Sequence, residues 1–553
     1  MKMSCSGFAA ALLTLSVLGC GGEPDRDDLT RAVRSAVESD ASESVRAFYA
    51  ERGFEPAFVG ADVPDDRLPT AIDMFCRSWT HGLIPEIYLS DSLRSRLAAA
   101  FDESAESGSD EARGLGDLDV ALTSALIRYA SDVVTGRVDP REVSSTWNAP
   151  LHRIDPASVV AGALEDDSLE SIPARVSAMH EQYERLRGAL ARYRSLEQAG
   201  GWRPISEGES LDESASGTRV RELIERLAAE GDLDSTALAD TSHRYTPEVA
   251  EAVRSVQRRF GLDVDGVAGS GVVEALNVPI ADRVEQIEIN MERWRWIPGH
   301  LGSRYLYVNI PAFELHAFEG GREIFSMPVV VGEVYEESAT PVFSDTMEYV
   351  VFNPYWNVPE SIAETEIVPQ AREDRSYLAR NEYEVVTSWS DDADVLDPME
   401  VDLDRVADGT YRIRQKPGPE NALGRIKFMF PNDFNIYLHD TPAEYLFDRA
   451  DRAYSHGCIR VERPEELAEF VLRGGEWTSG SIQEEIESST RSTVSLPEPL
   501  PVYILYWTAF VDDGSVHFRE DLYGNDAELR RALEDRSTPG GASCDAFRAL
   551  LTS

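Results

Sequence analysis

Near Tyr305 the hydrophobic pattern of this chain changes its period, so one layer type cannot serve both halves. Before that point apolar residues recur at helical spacing. Leu118, Ala121, Leu122, Ala125 and Leu126 form one stripe, which Tyr129 extends and Gly136 ends. From Ser42 to Ala199 strand signals are few, which predicts an all-α region. After it come short β-branched or aromatic runs at Tyr305–Ile310, Glu314–Phe318, Ile324–Val331 and Met347–Phe352, with Gly320-Gly321 as a hairpin turn. Pro328 lies inside one run and predicts an edge strand or a bulge. Strands resume at Ile426–Phe430 and Phe434–Leu438. The polar, acidic stretch between Pro359 and Gly418, with Asp391-Asp392-Ala393-Asp394, is too long for a structureless loop and reads as an inserted lid. At 553 residues the chain calls for about two to four folded units, and one compact core is not expected.

Between the two textures lies a unit of about sixty residues. Val220, Leu223, Ile224 and Leu227 mark its first helix, and Thr246 with Pro247 announces a second that buries Val249, Val253, Val256 and Phe260. Gly261 can end that helix, and the turn Leu262–Gly269 leads to a short helix through Val273 and Leu276. The Ser-, Gly- and Glu-rich stretch from Gly208 to Gly217 reads as a linker before it.

The first residues carry an address. Phe8 to Leu18 is an apolar run behind Lys2, shorter than the ~20 residues of a membrane span and suited to a signal-peptide core. Val17-Leu18-Gly19-Cys20 resembles a lipobox, which implies lipidation at Cys20; ordinary cleavage nearby is the alternative. The polar residues that follow read as a tether. The mature protein is then expected in the periplasm, acyl-anchored to the outer membrane in preference to the inner. Three cysteines remain, Cys76, Cys458 and Cys544. One pairing, Cys76 with Cys544, would leave Cys458 free in an oxidising compartment, but two buried unpaired thiols are the expected state.

Charge excludes some partners. Asp and Glu number 99 against 53 Lys and Arg, a net −46, which opposes binding to phosphate backbones, so no nucleic acid partner is expected. Lys2, Lys416 and Lys427 are the only lysines. A Lys-poor acidic surface fits a saline habitat and fits nucleotide-composition bias equally.

The densest chemistry lies in Tyr437-Leu438-His439-Asp440 and Ser455-His456-Gly457-Cys458-Ile459-Arg460. A cysteine nucleophile works as thiolate and needs an imidazole or a positive setting. His439, nineteen residues before Cys458, can meet it only if a strand end and a later loop converge; His456 is two positions away, so spacing alone does not choose the base. Gly457 permits close backbone approach, and amides around Cys458 could hold an oxyanion. No His-Glu-x-x-His, paired Cys-x-x-Cys or phosphate-cradling glycine loop is present, so no metal and no cofactor is expected.

His439, fifteen residues, then Ser-His-Gly-Cys-Ile-Arg resembles the signature of the L,D-transpeptidase family, with its YkuD-type catalytic domain. Phe260-Gly261-Leu262 with Asp265-Gly266 resembles a type 1 peptidoglycan-binding module. Phe48-Tyr49, His81-Gly82-Leu83 and Gly136–Pro140 resemble the helical scaffold of the long Gram-negative subfamily, Asn353–Pro359 the strand into its capping subdomain, and Val502–Thr508 with Asp521–Gly524 its C-terminal segment. The resemblance implies a multidomain α+β protein: signal peptide 1–19, tether 20–41, scaffold 42–206, binding module 218–280, catalytic domain 300–490 with a cap at 360–418, and an extension at 495–553 that packs on scaffold or catalytic domain. It implies Cys458 as nucleophile and His439 as base. Gly457 and Cys458 amides with Tyr437 would hold the oxyanion, and Ser455 and His456 would shape the loop. Arg460, Trp356 and Asn353 would meet substrate. Implied partners are donor and acceptor peptide stems of peptidoglycan and wall-synthesis enzymes. The motif leaves the acceptor open: a stem amine gives 3→3 cross-links, water an L,D-carboxypeptidase, and a lipoprotein amine an anchoring enzyme. A non-catalytic wall-binding scaffold is the reading of another class. A papain-like peptidase places Cys before His, opposite to the order here.

Overall fold

The computed structural model describes residues 24–59, 67–100, 109–144, 147–239, 241–335, 338–390, 393–536, 541 and 543–552, so the export segment, Cys20 and Asp391-Asp392 lie outside the described residues. Helical spacing in the first half does yield helices, and the earliest starts sooner than expected. Asp25 caps a helix over Arg26–Asp40 by accepting the Asp28 amide at 2.8 Å. Leu29, Val33 and Val37 bury its inner stripe, and it packs on the long helix Ser109–Val134. A Cβ on Gly116 would stand 2.8 Å from the Ala32 backbone, so glycine lets these two helices touch. The expected tether over 20–41 is thereby corrected: from Arg26 onward it is docked scaffold, because an apolar stripe at i, i+4 and i+8 hides in a charged stretch.

In the binding module, Thr246 caps Pro247–Phe260 by accepting the Val249 amide at 3.4 Å, and Gly261 ends it at φ +67°. Leu211 is buried and exchanges backbone hydrogen bonds with Ala268, so the stretch read as a linker is pinned to the module. The helix Ile280–Trp296 follows, between the scaffold helix Glu181–Gln198 and the C-terminal segment. Its buried charges are paired: Arg293 meets Asp526 and Arg295 meets Glu292, each at 2.5 Å. Asn290 accepts the Thr508 amide at 2.9 Å and donates to its hydroxyl at 2.8 Å.

The β domain comprises β1 (Arg304–Asn309), β2 (Glu314–Glu319), β3 (Arg322–Gly332), β4 (Val342–Phe352), β5 (Ile426–Met429), β6 (Leu438–His439), β7 (Ala453–Ser455), β8 (Ile459–Val461) and β9 (Ser492–Leu505). Pairing runs β4-β5-β6-β8-β3-β2-β1-β9, and β9 pairs again with β4, so the sheet closes on itself. β7 lies parallel to β3. β3 is interior, not an edge; Pro328 is tolerated because β2 runs out opposite it at Glu314 and the β8 ladder stops at Val329. The run at Phe434 to Ile436 is loop, with Asn435 left-handed at φ +56°, and only Leu438–His439 pairs as strand.

The insertion between β4 and β5 has its own core, including Val358, Ile362, Val368, Leu378, Val385 and Ile413. Four short strands cross it: Trp356–Asn357, Arg412–Gln415, Tyr383–Val386 and Val395–Leu396. Elsewhere, against the expectation of separate cores, buried side chains of scaffold, module and β domain form one continuous cluster. Its C-terminal end is tied down covalently. Cys76 is bonded to Cys544, which overturns the expectation of two free thiols; in sequence they stand 468 residues apart, and only the fold brings them together. Among the described residues Cys458 is the free cysteine.

Candidate active site

Strand register assembles the site. β5 and β6 pair Lys427 with His439, and β6 and β8 pair His439 with Arg460 and Leu438 with Ile459. Side chains alternate along a strand, so Lys427, His439 and Arg460 form a row on one face of the sheet. Tyr437 and Cys458, two residues before His439 and Arg460, fall on that same face.

Cys458 is partly exposed, and its sulfur has close neighbours. Tyr437 reaches it from backbone and side chain, and the thiol lies 3.7 Å from the Asn435 carbonyl. Burial holds the thiol above its ordinary value; the Tyr437 hydrogen bonds, then Lys427 and Arg460, offset only part of that rise. His439 is buried, and its Nδ1 lies 2.5 Å from the Asp440 carbonyl. A carbonyl only accepts, so Nδ1 carries the hydrogen and Nε2 keeps its lone pair. Burial first, then Arg460, hold this imidazole down at about 3, neutral at working pH. The described contacts of the sulfur are with Tyr437 and Asn435, not with His439.

The loop carrying the thiol is braced from several sides. Gly457 sits at φ +103°, and a Cβ there would come 3.2 Å from Ile436. The Ser455 hydroxyl donates to the Cys458 carbonyl at 2.5 Å and accepts the Gly457 amide at 3.2 Å. That bond occupies the Gly457 amide, which corrects its expected place in the oxyanion hole. The Thr340 hydroxyl donates to the Gly457 carbonyl at 2.8 Å, and the Tyr523 hydroxyl to the Gly332 carbonyl at 2.6 Å. His456 points outward, its Nε2 2.8 Å from Glu366 Oε1 in a π-helical turn of the inserted subdomain.

Comparison with known proteins bears on this arrangement. Residues 303–487 match the L,D-transpeptidase catalytic domain family, 43–190 a scaffold domain, and 216–276 a "Putative peptidoglycan binding domain". Residues 303–487 are thus similar to L,D-transpeptidase catalytic domains. A Haemophilus influenzae protein described as "Putative L,D-transpeptidase" is 32% identical over 250 residues, covering 45% of this chain and 49% of that protein. The chain thus spans about half the length of this relative. A crystal structure of the L,D-transpeptidase (residues 123–326) from Xylanimonas cellulosilytica covers 54% of this chain and 99% of its own, at 14% identity and a TM-score of 0.18.

The other expected site residues fall in different places. Arg460 shares the face of Cys458 and donates to the Tyr454 carbonyl at 3.3 Å. Trp356 packs half-buried against the core of the insertion. Asn353 departs from its expected contact with substrate. It is fully buried in a left-handed conformation, and its side-chain amide donates to the carbonyls of Glu485 at 2.9 Å and Thr490 at 3.3 Å. It joins the end of β4 to the approach to β9. Sequence reasoning missed Lys427, Thr340, Tyr523 and Glu366. Lys427 did leave a signal: it is a rare lysine in an arginine-dominated chain, set inside an apolar β-run.

Proposed function

We propose that this chain is a cysteine-dependent L,D-transpeptidase of peptidoglycan, with Cys458 as nucleophile. The observation that carries this reading is the single sheet face on which Cys458, a neutral His439 and the Tyr437 hydroxyl stand together, beside an inserted subdomain that touches the catalytic loop. The Cys458 thiolate attacks the carbonyl carbon of the third residue of a donor tetrapeptide stem, and the oxyanion is held by the Cys458 amide and the Tyr437 hydroxyl. His439 Nε2 takes the thiol proton and gives it to the departing amine. The carbon–nitrogen bond breaks, D-Ala leaves and a thioester remains. The side-chain amine of an acceptor diamino acid then attacks this thioester, loses a proton to His439 and expels the thiolate, giving a 3→3 cross-link. A cap that excludes water would favour the amine over hydrolysis.

Trp356 and Arg460 are assigned to the substrate groove, and the peptidoglycan-binding domain to holding glycan near it. A lipidated Cys20 would confine the work to the periplasmic face of a membrane. Among the described residues no helix is long and apolar enough to cross one. The test incubates disaccharide-tetrapeptides with the wild-type chain and with Cys458→Ala, followed by mass-resolved chromatography. A 3→3 dimer from wild type alone is expected. Tripeptide monomer without dimer would make the enzyme a carboxypeptidase, and no change in either protein would leave a wall-binding scaffold.

A further inference from the structure

We propose that Lys427, rather than a resting imidazolium, supplies the standing positive charge that favours ionisation of the Cys458 thiol when His439 takes its proton. The inference rests on Cys458 being the nucleophile and concerns what activates it.

Three placements carry it. First, register puts Lys427 on the face of the nucleophile, directly across from His439. Second, its Nζ lies 3.7 Å from the centroid of the Tyr437 ring, and it is the side chain of Tyr437 that hydrogen-bonds the sulfur. A cation over that ring fixes the phenol and strengthens its O–H as a donor. Third, no carboxylate acts on Lys427 among the described residues; the charged groups that do are Cys458 and Arg491. A largely buried ammonium without a counter-ion is costly, and the group beside it that can become an anion is the Cys458 thiol.

The other groups facing Lys427 do not provide that anion. Tyr437 precedes β6 and His439 lies on it, Arg460 comes from β8, Val351 from β4, and Arg491 from the approach to β9. Asp440, just past the end of β6, has its carboxylate tied to the amides of Arg425 at 2.6 Å and Thr441 at 2.7 Å. His439 cannot be the cation at rest, since its protonated form is opposed by burial, Arg460 and Lys427 itself. Burial lowers Lys427 to about 8, while the Cys458 anion acts to raise it. Lys427 is therefore still charged at neutral pH.

Iodoacetamide alkylation of the Cys458 peptide, followed by mass spectrometry across pH, tests this. No peptidoglycan is involved, so the result stands apart from that of the transpeptidation assay. In Lys427→Met, which keeps the aliphatic stem, the alkylation midpoint is expected to rise by about one pH unit or more. Lys427→Arg is expected to keep the wild-type midpoint, and His439→Gln to move it little. Lys427→Gln gives the same reading as Lys427→Met should the latter not fold. An unchanged midpoint in both neutral variants overturns the proposal. So does an equal rise in Lys427→Arg, which would indicate packing, or an equal rise in His439→Gln, which would return the role to the imidazole.

Discussion

His439 shows how burial and one hydrogen bond to the next residue set the chemistry of a side chain. Its Nδ1 hydrogen bond fixes the tautomer, and its enclosure keeps it neutral. The folded value of about 3 lies below the unfolded value of about 6.5, so the unfolded chain binds the proton first. This contribution to stability is intact above pH ~6.5 and is lost as pH falls from there towards about 3. Histidine NMR of the folded protein should show the His439 ring signals unshifted from pH 8 to about 5; a titration near 6.5 would contradict the buried neutral base. Gly457 is the second single-residue determinant. Alanine there must adopt φ +103° and press on Ile436, at a cost of about 1–3 kcal/mol. Gly457→Ala should remain folded in a thermal melt yet lose most transpeptidation, because the loop that aims the thiol has to shift. The motif made these two residues legible in the sequence. Lys427 was hidden because its neighbours in space lie on strands ten or more residues away.

At the scale of elements, the insertion folds on its own core and reaches the catalytic loop through Glu366. His456 and Glu366 are both about half exposed, so their contact contributes at most about 1 kcal/mol. Its consequence is positional. Glu366→Gln should leave the melting temperature nearly unchanged while hydrogen exchange across residues 360–418 quickens. Unchanged exchange there would mean that other contacts hold the insertion. Most strands of the β domain could be read from alternating apolar runs, but β6 is only two residues long and too short to carry a pattern. The helix Ile280–Trp296 escaped for the opposite reason. It is buried on nearly all sides and carries arginines on the buried faces, so no apolar stripe marks it.

For the whole molecule, the Cys76–Cys544 disulfide and the continuous core join segments from opposite ends of the chain. Cys76→Ser should lower stability by roughly 2–4 kcal/mol in denaturant titration while leaving transpeptidation per folded molecule intact. Loss of activity in step with stability loss under folded conditions would instead tie the site to the C-terminal helix. The net charge of −46 acts at the same scale, since peptide stems carry carboxylates that such a protein repels at long range. Activity should hold or rise as salt is added from low to moderate concentration, and a steep fall would point to a locally positive groove as the dominant field.

Sequence alone determined the division into a helical first half and a β-rich second half, the three-helix module, and the cysteine–histidine signature, because each is written in local spacing or in short contiguous motifs. The tertiary structure decided what spacing cannot encode: the pairing of Cys76 with Cys544, the docking of Arg26–Asp40, the inward turn of Asn353, and the placing of Lys427 on the face of the thiol. These depend on which strands become neighbours and which surfaces are sealed from water, and those are properties of the closed sheet and shared core, not of any one segment.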